Sequence, residues 1–337
     1  MKRILHTFSI VILLMFHPLF KLIRWRVLFV VNSATNETIE LLFPESISHI
    51  ITIAPIFKSF NSPIGFIFSR KGISLIVANA SSNDDIWSDS ELVKKQTKAL
   101  TRWNAKRIAL GGILPSAIAK HDCSEILDER FSLETHGTVF MLSKCINLAI
   151  DKHPNLALDK RPISIIGSGY TGQALAKYLE KKDIKVHLFD VLEKDIFSKS
   201  KNVKFLHSKF HEISSSGLII LLSTKGDSGI RSIEPHLLPN MVLLSDTYPK
   251  VSTRYIDVLE RKGVVYYECH AKIEGAYTFP TYEHAPSELL GGCFIQSYVE
   301  SFADKPLTDY AQFTESADKL GVTGVIHYPA ISKEHAS

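Results

Sequence analysis

The segment Ser287–Phe302, SELLGGCFIQSYVESF, places Cys293 directly after two glycines at the head of an apolar run. A cysteine so placed has the makings of a nucleophile. Gly291 and Gly292 let the backbone approach a carbonyl closely and offer N–H groups to an oxyanion. A helix starting near Cys293 would stabilise the thiolate. Such a thiolate attacks an acyl carbonyl to give an enzyme-bound thioester, which hydride then releases as an aldehyde. The same residue also makes a helical packing face with Phe294 and Tyr298, and buried cysteine commonly serves as a small hydrophobe. Cys269, at the end of an apolar run beside His270, is the rival nucleophile. Cys145 falls in an apolar helical stretch and reads as core, and Cys123 in a polar loop. His136, His270 and His284 are the candidate proton donors; Thr135-His136-Gly137 reads as a ligand-touching loop, and Glu283-His284 precedes the cysteine.

A second constellation lies at Gly167-Ser168-Gly169-Tyr170-Thr171-Gly172. The apolar ISII precedes it, the helical QALAKYLEKK follows it, and IKVHLFD then ends at Asp190, 18 residues beyond Gly172. Strand, glycine turn, helix, strand and acid is the context a dinucleotide fingerprint requires. Gly167 makes the tight turn, Gly169 admits a pyrophosphate to the backbone, and Gly172 allows close helix–strand packing. The free N–H groups of the helix start meet the phosphate charge. Asp190 accepts from the ribose hydroxyls and disfavours the extra phosphate of NADP, with Lys194 near enough in sequence to complicate that choice. Ser223 and Thr224, then Asp246, follow the apolar runs GLIILL and MVLLS, so they sit at strand ends bordering the nicotinamide half. None of the four cysteines forms a CxxC pair or zinc-type spacing, so no metal site is expected.

These groups need a scaffold, and the spacing of apolar runs supplies one. RVLFVV, SHIITIAPI, the runs within Ser62–Ala80, and KRIAL before Gly111-Gly112 read as strands. ELVKKQTKALTRWNAKR reads as a helix, as does Val139–Ile150. Short strands alternating with crossovers continue from Pro162 to Cys269. The class is α/β: a Rossmann-type doubly wound parallel sheet with an N-terminal α/β substrate domain. The expected divisions are residues 1–25, a membrane-associating or extended start; 26–155, the substrate domain; 156–290, the NAD(P)-binding domain; and 291–337, a helical segment carrying the cysteine back onto the substrate domain. Hydrophobic residues at 45% and charged residues at 22% exclude a disordered chain. A net charge of +4 without a dense Lys/Arg run argues against nucleic acid and suits an anionic cofactor or acidic partner. Unpaired cysteines suit reduced thiols and a cytoplasmic setting. The opening, MKRILHTFSIVILLMFHPLFKLIRW, is apolar between cations. It reads as an interfacial anchor, with Lys21, Arg24 and Arg26 at anionic lipid, as a first strand or helix of the domain, or as extra residues ahead of a start at Met15.

Several of these segments together resemble the long-chain fatty acyl-[acyl carrier protein] reductases of cyanobacteria, from about Leu92 to the C-terminus. ALGG at Ala109–Gly112 followed by Ser116, the Thr135–Thr138 loop, ISIIGSGYTG, LIILLSTKG, VLLSDTYPK and GGCFIQSYVESF are similar to segments of that family. The resemblance implies that Cys293 is acylated, that an acyl carrier protein or coenzyme A thioester is the donor, and that NADPH supplies hydride. It also implies that Gly111, Gly112, Ser116, Thr135 and His136 line the acyl or nicotinamide side. Gln296 and Ser297 stand where the family has glutamate and alanine, and Asp190 points to NADH instead. Two other readings stay open. One is an NAD-dependent dehydrogenase of a small hydroxy or amino acid derivative, with His136 or Lys250 in acid–base work and Cys293 as packing. The other is a dinucleotide-binding protein without chemistry.

Overall fold

The computed structural model describes residues 17–33, 61–133, 135–156, 161–191, 200–279, 286–304 and 307–329. The apolar opening up to Phe16, the expected strand at 48–56, Lys194, Glu283 and His284 lie outside the described residues. From the N-terminus the elements are α1 (His17–Leu22), β1 (Trp25–Ser33), β2 (Asn61–Ser69), β3 (Gly72–Ser82), α2 (Asn83–Ser88), α3 (Ser90–Leu100), β4 (Ala105–Leu110), α4 (Leu114–Lys120) and β5 (Phe131–Ser132). Then come α5 (His136–Lys152), β6 (Ile163–Ile166), α6 (Tyr170–Glu180), β7 (Val186–Asp190), β8 (Val203–His207), β9 (Leu218–Leu221), α7 (Gly226–Ile233), β10 (Val242–Ser245), α8 (Thr253–Arg261) and β11 (Val265–Ile273). The last are β12 (Tyr277–Phe279), α9 (Gly292–Glu300), α10 (Tyr310–Lys319) and β13 (Val322–His327).

Two compact units form, Met1–Thr138 with Ala271–Thr323, and Val139–His270 with Gly324–Ser337. The expected divisions at 155/156 and 290/291 do not coincide with the bounds of these units, which fall inside α5, β11 and β13.

The first unit is built on a six-stranded mixed sheet ordered β12-β2-β3-β1-β4-β5. β1 pairs in parallel with β3 and β4, and β4 with β5, while β2 runs antiparallel to β3 and to β12. Its core gathers Leu28, Leu75, Val93, Trp103, Ile108 and Leu114, all essentially excluded from water. Each such side chain contributes about 1.5–3 kcal/mol by burial. Two acids set the helix starts. Ser82 and Asp85 form a reciprocal capping box on α2, and Asp89 Oδ1 accepts from Leu92 N at 3.0 Å to cap α3.

The second unit holds a seven-stranded sheet ordered β13-β11-β10-β9-β6-β7-β8. Every pairing from β8 through β11 is parallel. β6, β9 and β10 are buried along their whole length, as parallel strands covered on both faces must be, which is why they read as unbroken apolar runs. α6 buries Gly172, Leu175, Ala176 and Leu179, one face at helical spacing. The chain leaves β6 toward β7 and β8 and returns to β9 on the other side of β6. That reversal is a topological switch point, where open sheets of this kind hold ligands. The α/β class and the Rossmann-type doubly wound sheet are therefore as expected.

Two expectations are corrected. Thr135-His136-Gly137 is not a free loop: His136 and Gly137 already belong to α5. The C-terminal segment is not wholly helical, since Val322, Thr323, Val325 and Ile326 favour the extended chain and form β13 at the sheet edge. Among the described residues no helix is long and apolar enough to cross a membrane.

Candidate functional site

In the second unit the glycine loop sits at the switch point, and each glycine has its own cause. Gly167 adopts φ +110°, and a Cβ there would stand 2.9 Å from the Leu222 carbonyl oxygen. Its N–H donates to Phe189 O at 2.9 Å, while Leu222 N donates to Ile166 O at 2.9 Å, so the loop is fixed between two neighbouring strands. A Cβ on Gly172 would fall 1.9 Å from Gly167 O, so only glycine lets α6 pack this tightly on the turn. Gly169 differs. Its φ of −63° is ordinary, and a Cβ there would meet nothing within 4 Å. Open space thus lies beside the residue that caps α6, and no side chain caps that helix. Tyr170 is exposed and Thr171 half-buried in the first turn.

Asp190, at the end of β7, closes the arrangement. Its Oδ2 accepts from Ser168 N at 2.7 Å and from Ser168 Oγ at 2.6 Å. Gln173 Nε2 donates to Ser168 O at 2.6 Å from the helix side. The carboxylate therefore faces the glycine loop, where the fingerprint requires an acid. The open side of Gly169, the uncapped helix start and this carboxylate fit a dinucleotide: pyrophosphate at the helix start, ribose at the acid.

The other strand ends carry the polar residues expected there and some that were not. Ser223 Oγ donates to Lys225 O at 2.9 Å, and a Cβ on Gly229 would lie 2.5 Å from that hydroxyl, so α7 closes tightly on Ser223. Thr224 beside it is exposed. Asp246 follows β10. Burial pushes its carboxyl up to about 6, against the pull of His270. Beyond it, Lys250 Nζ lies 2.6 Å and His270 Nε2 3.2 Å from the same oxygen of Glu268. Burial would raise the Glu268 carboxyl, but the His270 hydrogen bond and the Lys250 charge outweigh it and hold the group below its ordinary value. The His327 ring, brought by β13, is centred 6.4 Å from that of His270, and burial lowers its pKa. Glu268 and His327 were not singled out from the sequence. The signal for Glu268 was present: a lone carboxylate inside the strand run VVYYECHAKI asks for buried partners.

Cys269 is not the rival it resembled. It lies within β11 and is 2% exposed, and a hydrogen bond with Cys145 and burial together push its thiol well above the ordinary range. Cys145 is fully buried, as expected, with its thiol turned to the carbonyls of His270 and Val325. Cys123, expected in a polar loop, is buried in the first unit's core and donates to His121 O at 3.4 Å.

In the first unit, two motifs far apart in sequence meet. α5 and α9 start against each other, glycine to glycine: a Cβ on Gly137 would be 2.4 Å from Gly292 O, and one on Gly292 would be 2.4 Å from Thr138 Cα. A buried polar chain locks the junction. Gly137 N donates to Gln296 Oε1 at 2.7 Å, Gln296 Nε2 to Glu300 Oε1 at 2.7 Å, and Ser132 Oγ to Glu300 Oε2 at 2.6 Å. Arg107 Nε stands 4.0 Å from Glu300 Oε2, with both side chains nearly excluded from water. Cys293 occupies the first turn of α9, half-buried, with Sγ close to where a Gly291 Cβ would lie. Next to it Phe294 packs on Phe29, whose ring also lies against Gly111. Gly112 follows with φ +60°, and Ser116 and Thr135 are half-buried. His136 does not point freely to solvent: Nε2 is 3.0 Å from Thr308 O, and its ring packs on Tyr310 and Phe313. Among the described residues no group of three or more His, Cys, Asp or Glu is arranged to hold a metal.

No family model matches the chain, and no curated protein matches it. Solved structures do. L-tryptophan dehydrogenase from Nostoc punctiforme is 12% identical over 87% of this chain and 79% of its own, with a TM-score of 0.42. Shikimate 5-dehydrogenase from Listeria monocytogenes, solved with shikimate and NAD, is 12% identical over 86% of this chain and 95% of its own, at 0.38. An imine reductase from Myxococcus stipitatus, solved with NADP+, is 15% identical over 32% of this chain and 40% of its own, at 0.27. Each of these likenesses is distant.

Proposed function

We propose that this protein is a nicotinamide-dinucleotide-dependent oxidoreductase acting on a small organic substrate. The observation that carries the reading is the loop Gly167–Gly172 at the switch point, with open space beside Gly169 and Asp190 bound to Ser168. Gly169 and the start of α6 hold the pyrophosphate, and Asp190 the adenosine ribose. Its negative charge favours NADH over NADPH, because a ribose phosphate would face it. When bound, the dinucleotide supplies or accepts hydride. The chain's own part is proton handling. Glu268 fixes Lys250 and His270 on one oxygen, and Lys250, with 39% of its side chain exposed, is the member able to meet a substrate oxygen or nitrogen. The test is consumption of NADH or NADPH by the purified protein with panels of carbonyl and imine compounds. Turnover that falls in Lys250→Met while NADH binding persists supports the assignment. Failure to bind either dinucleotide rejects it.

A second reading keeps the acyl-thioester chemistry. What supports it is the half-buried thiol of Cys293 in the first turn of α9. In that reading Cys293 takes an acyl group from an acyl carrier protein or coenzyme A thioester and the carrier thiol leaves; hydride from a nicotinamide dinucleotide would then reduce the enzyme thioester, and with a proton taken up the acyl group would depart as an aldehyde and Cys293 return to its thiol. Incubation with a long-chain acyl thioester without cofactor, followed by intact mass, tests it. An acyl-sized gain absent from Cys293→Ala favours this reading; no gain with any donor rejects it.

A further inference from the structure

The first unit carries an exposed apolar face unrelated to either candidate site. α1 is fixed by Phe20, whose ring packs on Trp25 and Phe66 and whose carbonyl accepts from Trp25 Nε1 at 2.7 Å. That anchoring leaves Leu19, Leu22 and Ile23 outside, at 54%, 75% and 46% exposure. Leu19 and Leu22 stand i, i+3 on one side of α1, and Ile23 follows its last residue. The face continues onto the sheet edge. Phe279 of β12 stands opposite Phe66, and Tyr277 opposite Phe68, in an antiparallel register that puts opposed side chains on one side. Tyr277 stacks on Phe68 with ring centres 5.2 Å apart, yet Tyr277 and Phe279 remain about half exposed. A folded domain seldom shows water a contiguous run of Leu, Ile, Phe and Tyr that nothing uses.

Two observations say what covers it. A cation borders the face: Arg24 is exposed directly after Ile23, while Lys21 turns across α1 to the Trp103 ring, 5.7 Å from its centre. Upstream, the sequence from Ile10 to Phe16 is wholly apolar, and Lys2 and Arg3 stand ahead of it. Apolar side chains flanked by lysine and arginine, with aromatic residues at the margin, match the boundary of an anionic bilayer. We infer that the face formed by α1 and β12 docks the first unit onto a lipid surface carrying negative headgroups.

Co-sedimentation of the full chain with phosphatidylcholine vesicles, with and without phosphatidylglycerol, tests this. The parent should partition onto the anionic vesicles and lose most of that binding at high salt. Replacing Leu19, Leu22 and Ile23 together by serine should weaken partition about tenfold or more, and Arg24→Glu should reduce the preference for phosphatidylglycerol. All four side chains are exposed, and circular dichroism melts verify that the variants fold. A parent that stays in the supernatant with both vesicles overturns the inference, as does a serine variant that binds equally well. A concentration-dependent dimer in sedimentation velocity, lost in the serine variant without vesicle binding, also overturns it and assigns the face to a second copy.

Discussion

Gly169 and Gly292 each lie at the start of a helix beside a further glycine and a residue of chemical interest, yet their surroundings are opposite. A Cβ on Gly169 would meet nothing within 4 Å; one on Gly292 would lie 2.4 Å from Thr138 Cα. The first glycine leaves room for something the chain does not supply. The second is consumed by packing, helix start against helix start. A glycine motif therefore has two physical meanings, and only the space around the missing Cβ separates them.

The contrast can be broken at several points. The largest effect is expected at the junction in the first unit. Glu300→Ala removes acceptors from Ser132 and Gln296 and leaves Arg107 buried beside a void, which should cost about 3–5 kcal/mol in urea unfolding. A loss below about 1 kcal/mol would mean the junction tolerates opening. Gly292→Ala comes next, at about 3 kcal/mol, because the methyl group is driven into backbone that cannot retreat. Glu268→Gln in the second unit should cost about 1–3 kcal/mol, from the loss of charge-assisted bonds to Lys250 and His270. Gly169→Ala should cost about 1 kcal/mol or less, the difference between glycine and alanine as a helix cap. If it proves as damaging as Gly292→Ala, the space beside Gly169 is not open.

The smallest effect is one of pH. The Asp246 carboxyl titrates near 6 in the folded chain against 3.8 ordinarily, so folding favours its protonated form. Its contribution is fully present below about pH 4 and disappears as pH rises through 6. Asp246→Asn removes that dependence. Urea midpoints should show the variant gaining on the parent between pH 4 and pH 7, and parallel curves would contradict the assignment.

The second unit was largely legible in the sequence because its signals are local. ISII, GSGYTG and an acid ending the next strand lie within one βαβ stretch, so order along the chain gave the neighbours in space. The bond from Ser168 to Asp190 was not readable, since it depends on how the turn presents its N–H. The first unit was legible only in pieces. Thr135-His136-Gly137 and Gly291-Gly292-Cys293 both stood out, but their contact spans more than a hundred residues, and nothing in either string demands the other. Gln296, noted only as a departure from the family pattern, proved to be the residue that joins them. Cys269 misled for a related reason: its place beside His270 suggested a strand end, whereas β11 continues to Ile273 and buries it. β13 was missed because a short strand near the chain end declares itself only once a sheet edge exists to receive it.

The measurement that bears most directly on the dinucleotide reading is titration of the parent and Gly169→Ala with NADH and NADPH by isothermal calorimetry, with thermal melts alongside. Binding of NADH by the parent, weaker binding of NADPH, and loss of NADH affinity in a Gly169→Ala variant that still melts like the parent would establish the loop as the cofactor cradle. A parent that binds neither nucleotide, or a variant that binds NADH as tightly as the parent, would contradict it.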